Sequence, residues 1–246
     1  MKRIAPGAPK SRMARLVNKL GMPFGLLPFP FAYHAPSSTN TGERDEVFER
    51  IYRENGWGSL ESGSGHGSEL DRTRMYRTAL LRFLREQEIT SMFDAPCGDL
   101  NWMRWVLDQH RMRFVGGDIA EAALELARRN RPGVDVRKFD ICADPFPDCE
   151  VWHCRDALFH LSFAECRMAL KNAARSNIRF ALLTTHRARW LKNLDMQTGG
   201  WRYLDLERPP FCLPRPNGYL PDTGAGEFPR FVGIWPITAL RSSFGD

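Results

Sequence analysis

The chain has 246 residues, 43% hydrophobic and 26% charged, enough for one full-sized core with a small cap or tail and unlike a wholly disordered chain. Its net charge of +6 sits in residues 1–40, where Lys2, Arg3, Lys10, Arg12, Arg15 and Lys19 meet no acid; from residue 41 on, 29 basic residues face 29 acidic ones. A neutral body argues against a nucleic-acid groove, and the basic tail is either a solvated arm or one making peripheral contact with anionic lipid or another polyanion.

Residues 1–42 read as a basic flexible tail and linker, with Gly, Pro, Ser and Thr recurring without hydrophobic period. The apolar stretch 21–33 carries three prolines and is too short to span a bilayer. With no convincing signal peptide either, the expectation is no transmembrane segment and a cytoplasmic protein. From Glu43 a short helix is predicted, with Val47, Phe48, Ile51 and Tyr52 on one face and a stop near Asn55 and Gly56. A Gly/Ser loop over 57–68 leads to a second helix over about 69–85, with Leu70, Met75, Leu80, Leu81 and Leu84 turned inward. Residues 43–88 are thus read as a small N-terminal helical cap, and 89–246 as the main domain.

After Glu88 strands and helices alternate. Strands are predicted at Ser91–Asp94, Arg113–Asp118, Val134–Phe139, Val151–Cys154 and Ile178–Thr185, with helices at Trp102–Gln109, Glu121–Asn130 and Phe163–Arg175. Trp201–Leu206 and Phe231–Ile234 are candidates for two last, antiparallel strands, separated by a loop rich in Pro and Gly. This order predicts an α/β fold, a Rossmann-like seven-stranded, mostly parallel sheet with helices on both faces. Ligands of such sheets bind past the carboxyl ends of the strands, where the strand order reverses.

Three acidic strand tips carry the chemistry. Asp94 stands beside the glycine turn at Gly98, where a carboxylate can accept from an ammonium group and a backbone can be approached closely. Asp118 follows 20 residues later, the place of a carboxylate that holds a ribose diol, although it could equally cap the next helix. Asp140 could accept from an adenine amine or simply form a turn. The frame of a dinucleotide fingerprint, G-x-G-x-x-G, holds Pro96, Gly98 and Asn101, which leaves no pyrophosphate cradle. Six cysteines (Cys97, Cys142, Cys149, Cys154, Cys166 and Cys212) show neither a CxxC pair nor zinc spacing. A reducing compartment and no metal are expected.

With these residues the chain resembles the class I S-adenosylmethionine (SAM)-dependent methyltransferases over roughly residues 43–240. It is most similar to a bacterial branch with a D-x-P-C-G-D-x-x-W turn, matched by Asp94, Pro96, Cys97, Gly98, Asp99 and Trp102. An upstream block of the same branch is matched by Phe48, Ile51, Tyr52, Asn55, Trp57, Gly58, Glu61 and Ser62, then Ser64, Gly65, Gly67 and Ser68. Further matches are Arg155, Asp156, Leu158, His160, Leu161 and Ser162, a strand end at Thr184, Thr185 and His186, and Pro210, Phe211, Leu213, Pro214 and Pro216. The resemblance implies SAM as cofactor, with Asp94 and Gly98 at its methionine end, Asp118 at the ribose, and Asp140 with Ile141 at the adenine. Pro96, Cys97, Asp99, Trp102, Ile119 and Arg155 join them as candidate cofactor residues. Where the broader superfamily has three glycines in the turn, Pro96 and Leu100 replace two, so the Ser62–Ser68 loop is expected to share in holding the carboxylate.

For methyl transfer to a hydroxyl, a general base is wanted. His160 is the first candidate, oriented by Asp156 four residues earlier, and His186 the second. Arg155 either holds an acidic acceptor or pairs with Asp156. His66 could close over the cofactor, and Arg187, Arg189, Trp190 and Trp201 could build the acceptor pocket. The expected activity is O-methylation of a saccharide or other small-molecule acceptor. The alternatives are a nucleic-acid or protein methyltransferase, and a non-catalytic nucleoside-binding module. The Pro209-Pro210-Phe211 run is read as loop structure.

Overall fold

Nine strands run through the described residues: β1 (Tyr33–His34), β2 (Ser91–Asp94), β3 (Arg113–Asp118), β4 (Val136–Lys138), β5 (Val151–Cys154), β6 (Phe180–His186), β7 (Trp201–Arg202), β8 (Gly218–Pro221) and β9 (Arg230–Pro236). The computed structural model describes residues 33–34, 43–189, 191–224 and 227–245; the basic residues of the tail and Trp190 lie outside them. Six α-helices accompany the strands: α1 (Arg44–Arg53), α2 (Leu70–Glu86), α3 (Met103–Gln109), α4 (Glu121–Asn130), α5 (Phe163–Ala174) and α6 (Ile237–Phe244).

Seven strands form one sheet in the order β4-β3-β2-β5-β6-β9-β8. The first five pair in parallel, and β9 is antiparallel to both β6 and β8. This is the expected Rossmann-like, mostly parallel architecture. Its central strands β2, β5 and β6 are buried on both faces, their alternating side chains covered by helices on either side. Met92, Val151 and Leu182 pack with Leu80, Leu84, Met103, Val106 and Leu124 of α2, α3 and α4. Phe93, Trp152 and Leu183 point the other way, into Ala169, Leu170 and Leu240 of α5 and α6. Trp152 and Trp235 are fully buried, and each indole N–H finds a carbonyl, that of Ala95 at 2.8 Å and that of Pro214 at 2.7 Å. Helix α5 starts on a capping box of Ser162 and Glu165.

The structure departs from the sequence expectations at four places, one of them the C-terminal helix α6, for which the sequence reading has no element. Met75 is 48% exposed, while Thr73, Tyr76, Leu80 and Leu84 face the sheet, so the inward stripe of α2 runs through Tyr76. Trp201–Arg202 pairs with Tyr33–His34 outside the main sheet. Beyond it, Leu204 and Leu206 lie against β6, through His186 N–H to the Leu204 carbonyl (2.7 Å) and Leu206 N–H to Thr185 Oγ1 (3.1 Å). The remaining strand is β8, inside the segment read as a loop; it lies at the sheet edge, where Pro221 can be accommodated.

Candidate active site

A cavity of about 760 Å³ opens beyond the carboxyl ends of β2, β3 and β5, where the strand order reverses. Asp94 ends β2, Asp118 ends β3, and Asp140 lies two residues past β4; all three line it. Pro96, Cys97, Gly98, Trp102, Ile119, Phe139, Ile141 and Arg155 line it too, and α1 with the loop 57–68 supplies the opposite wall.

The turn after β2 is organised by carboxylates. Asp118 accepts from Gly98 N–H at 2.9 Å through one oxygen and from Ala120 N–H at 3.0 Å through the other. It therefore ties two loops together and does not cap α4, whose N-terminus has no side-chain cap. Burial pushes its carboxyl up to about 6, against the pull of the Ala120 and Gly98 N–H groups. Gly98 has φ of 58°, and a Cβ there would stand 2.3 Å from Ser64 Oγ and 3.1 Å from Tyr52 OH. The close approach that demands glycine here is made by the cap loop.

Asp99, a candidate cofactor residue, does not line the cavity. It is buried beneath the cap loop, accepting from Ser62 Oγ (2.8 Å), Gly63 N–H (2.8 Å), Ser64 Oγ (3.1 Å) and Asn101 N–H (3.1 Å). A carboxylate with four donors is saturated, so its role is to fasten the Gly/Ser loop. Asn101 adds a second fastening through Glu61 (2.7 Å) and the Ser68 carbonyl (3.0 Å). Asp140 is likewise already engaged, by Arg44 of α1 at 2.5 Å, and the same guanidinium reaches Glu165 at 2.9 Å. An adenine amine would share that carboxylate with Arg44.

Past β5 the chain crosses the cavity floor. Arg155 is buried and makes a bidentate pair with Asp222, Nε to Oδ2 and Nη2 to Oδ1, both 2.9 Å; its contact with Asp156 is longer, 3.3 Å. Its guanidinium also faces the rings of Tyr76 and Trp102. Asp156 adopts a left-handed φ of 54° and accepts from Arg230 at 2.9 Å. Burial disfavours its charge, but Arg155 and Arg230 more than compensate and hold the carboxyl below its usual range.

His160 lines the cavity, with its ring beside Trp57 at 5.5 Å. Its orienting partner is the Gly200 carbonyl, 2.6 Å from Nδ1, in place of the expected Asp156. Burial lowers its pKa to about 4, so the ring is neutral near pH 7. His186 does not reach the cavity. It is buried among Phe159, Trp201, Tyr203 and Phe228, its Nδ1 accepts from Leu204 N–H at 3.2 Å, and burial lowers its pKa to about 3. With Nδ1 so used, the proton of the neutral ring sits on Nε2, the wrong tautomer for a base on that side.

His66 stands at the cavity wall on Glu69 (2.6 Å). Trp201 lines the cavity, whereas Arg187 pairs with Glu207 and faces Tyr219. Sequence reasoning missed His153, Tyr76, Arg44 and Arg230. Each meets its partner across 59 or more residues, where no local spacing exists to detect. Among the described residues no group of three His, Cys, Asp or Glu side chains could hold a metal ion, no helix is long and apolar enough to cross a membrane, and the cysteines are free.

Residues 92–177 match the sequence model of a family described as a methyltransferase domain. The structure is similar to magnesium protoporphyrin IX methyltransferase from Synechocystis PCC 6803 with bound SAM, at TM-score 0.56 and 12% identity, covering 80% of this chain and 99% of that one. It is also similar to human N-acetylserotonin methyltransferase in complex with SAM (TM-score 0.56, 12% identity, 89% of this chain and 65% of that one). A third similar structure is PigF with SAH, at TM-score 0.51 and 13% identity, covering 68% of this chain and 56% of that one. No curated protein matches the chain by sequence. The molecule thus has the Rossmann-like methyltransferase fold, and at these identities the likeness is one of fold alone.

Proposed function

We propose that the chain binds SAM in this cavity and transfers its methyl group to a hydroxyl of a neutral small-molecule acceptor, such as a saccharide. The observation that carries the reading is the gathering of Asp94, Asp118 and Asp140 around one cavity at the strand-order reversal. Asp118 has acceptor capacity left beyond its two N–H partners and suits a ribose diol. Asp94 keeps one carboxylate oxygen without a hydrogen-bond partner among the described residues, suited to an ammonium. Ile119, Phe139 and Ile141 offer apolar faces to an adenine.

When bound, the cofactor supplies a methyl group made electrophilic by its sulfonium. The side chains do the rest. Trp57, Phe159 and Trp201 would form apolar walls on the acceptor side, and His160 would take the hydroxyl proton. A neutral acceptor is favoured because Arg44, Arg155 and Arg230 are each already matched by carboxylates.

Calorimetry with S-adenosylhomocysteine (SAH), followed by a labelled-methyl screen over saccharides, phenols and small acids, tests the reading. Binding and incorporation into a neutral hydroxyl acceptor are expected. Binding without incorporation into any acceptor would make the chain a nucleoside-binding module, and absence of binding would overturn the reading altogether.

A further inference from the structure

Behind Asp94 lies a buried chain of side chains that methyl transfer itself does not use. Asp94 and His153 are register partners on the adjacent parallel strands β2 and β5, so their side chains leave the sheet on the same side. His153 Nδ1 stands 2.5 Å from Asp94 Oδ1, and His153 Nε2 stands 2.8 Å from Tyr76 OH, which reaches across from α2. All three residues are almost completely buried, and both Asp94 and His153 reach the cavity wall. The ring of Tyr76 stacks on the imidazole, and Trp102 closes on it edge-on at 5.6 Å.

The direction of these bonds follows from the groups present. Asp94 as a carboxylate only accepts, so Nδ1 carries a proton and donates to Oδ1. In the neutral ring Nε2 is then the lone pair, and the Tyr76 hydroxyl donates to it. Tyr76 thereby selects the tautomer, and His153 pins one carboxylate oxygen with the rotamer fixed. The second oxygen, Oδ2, has no hydrogen-bond partner among the described residues.

We propose that His153, held by Tyr76, is a positioning residue that orients the Asp94 carboxylate toward the ammonium of the amino-acid end of the bound cofactor. The inference rests on the reading that the cavity binds SAM. Pre-aligning a buried carboxylate with a hydrogen-bond donor spares the ligand the ordering of that side chain, and only a ligand that carries an ammonium gains from it.

The test compares two ligands, SAH and 5′-methylthioadenosine, which keeps the nucleoside and lacks the amino-acid end. His153→Leu is expected to weaken SAH binding by about tenfold or more while leaving methylthioadenosine within about twofold, the loss of one charge-assisted contact. His153→Asn, whose amide can replace the Nδ1 donor, is expected to recover most of the SAH affinity. Tyr76→Phe should weaken SAH alone, by about threefold, and it carries the test if His153→Leu does not fold. Equal weakening of both ligands, or unchanged SAH binding, would overturn the proposal while the cofactor reading stood. A wild-type protein that bound neither ligand would bring down both.

Discussion

His160 donates through Nδ1 to the Gly200 carbonyl oxygen at 2.6 Å, which leaves Nε2 of the neutral ring with its lone pair. Burial keeps this neutral form down to about pH 4. His160→Gln is expected to lower kcat by about 10²-fold or more, with SAH affinity unchanged. Parallel loss of turnover, binding and melting temperature would instead assign the ring to packing against Trp57. In the wild-type protein, the proposed turnover should not fall through protonation of this ring until the pH approaches 4.

Burial pushes the Asp118 carboxyl up to about 6, so the proposed ribose contact predicts a pH-dependent SAH affinity. The ionised form is the better acceptor for a ribose diol, so SAH affinity is expected to weaken as the pH drops from 7.5 to 5. Asp118→Asn should lose about 1–3 kcal/mol of binding at pH 7.5 and flatten this dependence, both read by calorimetry. Replacement by Ala is the poorer test, because it strands both the Gly98 and the Ala120 N–H groups, whereas the Asn amide keeps an acceptor for one of them.

Gly98→Ala collides with Ser64 Oγ and forces a side chain into left-handed backbone. The expected cost is about 1–2 kcal/mol from backbone conformation alone, added to displacement of the cap loop. A lower melting temperature together with faster proteolysis within residues 59–68 checks it. Unchanged proteolysis would show that the loop gives way without detaching.

Arg155 and Asp222 form a buried bidentate pair, which predicts a structural phenotype for a residue that could have held an acidic acceptor. Asp222→Asn is expected to destabilise the fold by about 1–3 kcal/mol, because the amide keeps one acceptor but strands the second guanidinium donor, while Asp156 at 3.3 Å remains as a counter-charge. Denaturant unfolding measures this. A raised acceptor KM with unchanged stability would return Arg155 to the acceptor site.

Acid sensitivity follows from the two buried histidines. Their pKa values, about 4 for His160 and about 3 for His186, lie below the unfolded value of 6.5. The unfolded chain therefore binds more protons as the pH falls below 6.5, and each ring removes up to about 1.4 kcal/mol per pH unit until its folded pKa is reached. Asp118, Asp205 and Asp222, whose carboxyls burial holds above their usual range, oppose this by keeping an extra proton in the folded state, while Asp156 and Glu165, held below theirs, add to the loss at the acid end. His186→Asn, which retains an acceptor for Leu204 N–H, should make melting temperature fall less steeply between pH 6 and 4.

Strand–helix alternation and three acidic tips were legible because both are local. A two-sided strand such as Phe180–His186 shows itself by consecutive apolar residues, Phe180 to Leu183, and a carboxylate next to Gly98 needs only its neighbours. The edge strand β8 escaped because Gly218 and Pro221 are weak strand formers, and its pairing comes from β9. Trp201 has strong strand character, but that character does not say which strand it will meet, and it pairs outside the main sheet.

The amino-acid order alone settled the sheet's class and which acidic residues stand at the strand tips, since period and turn chemistry are written within a few residues, whereas the identity of its edge strand came from tertiary pairing. Tertiary structure alone decided what these acids and their neighbours Asp99 and Asp156 touch. Asp94 meets His153, Asp99 meets Ser62 and Ser64, Asp118 meets Gly98, Asp140 meets Arg44, and Asp156 meets Arg230. Hydrogen-bond partners at the rim of a sheet are set by strand order, register and the helix packed above, and none of these is encoded at a fixed spacing along the chain.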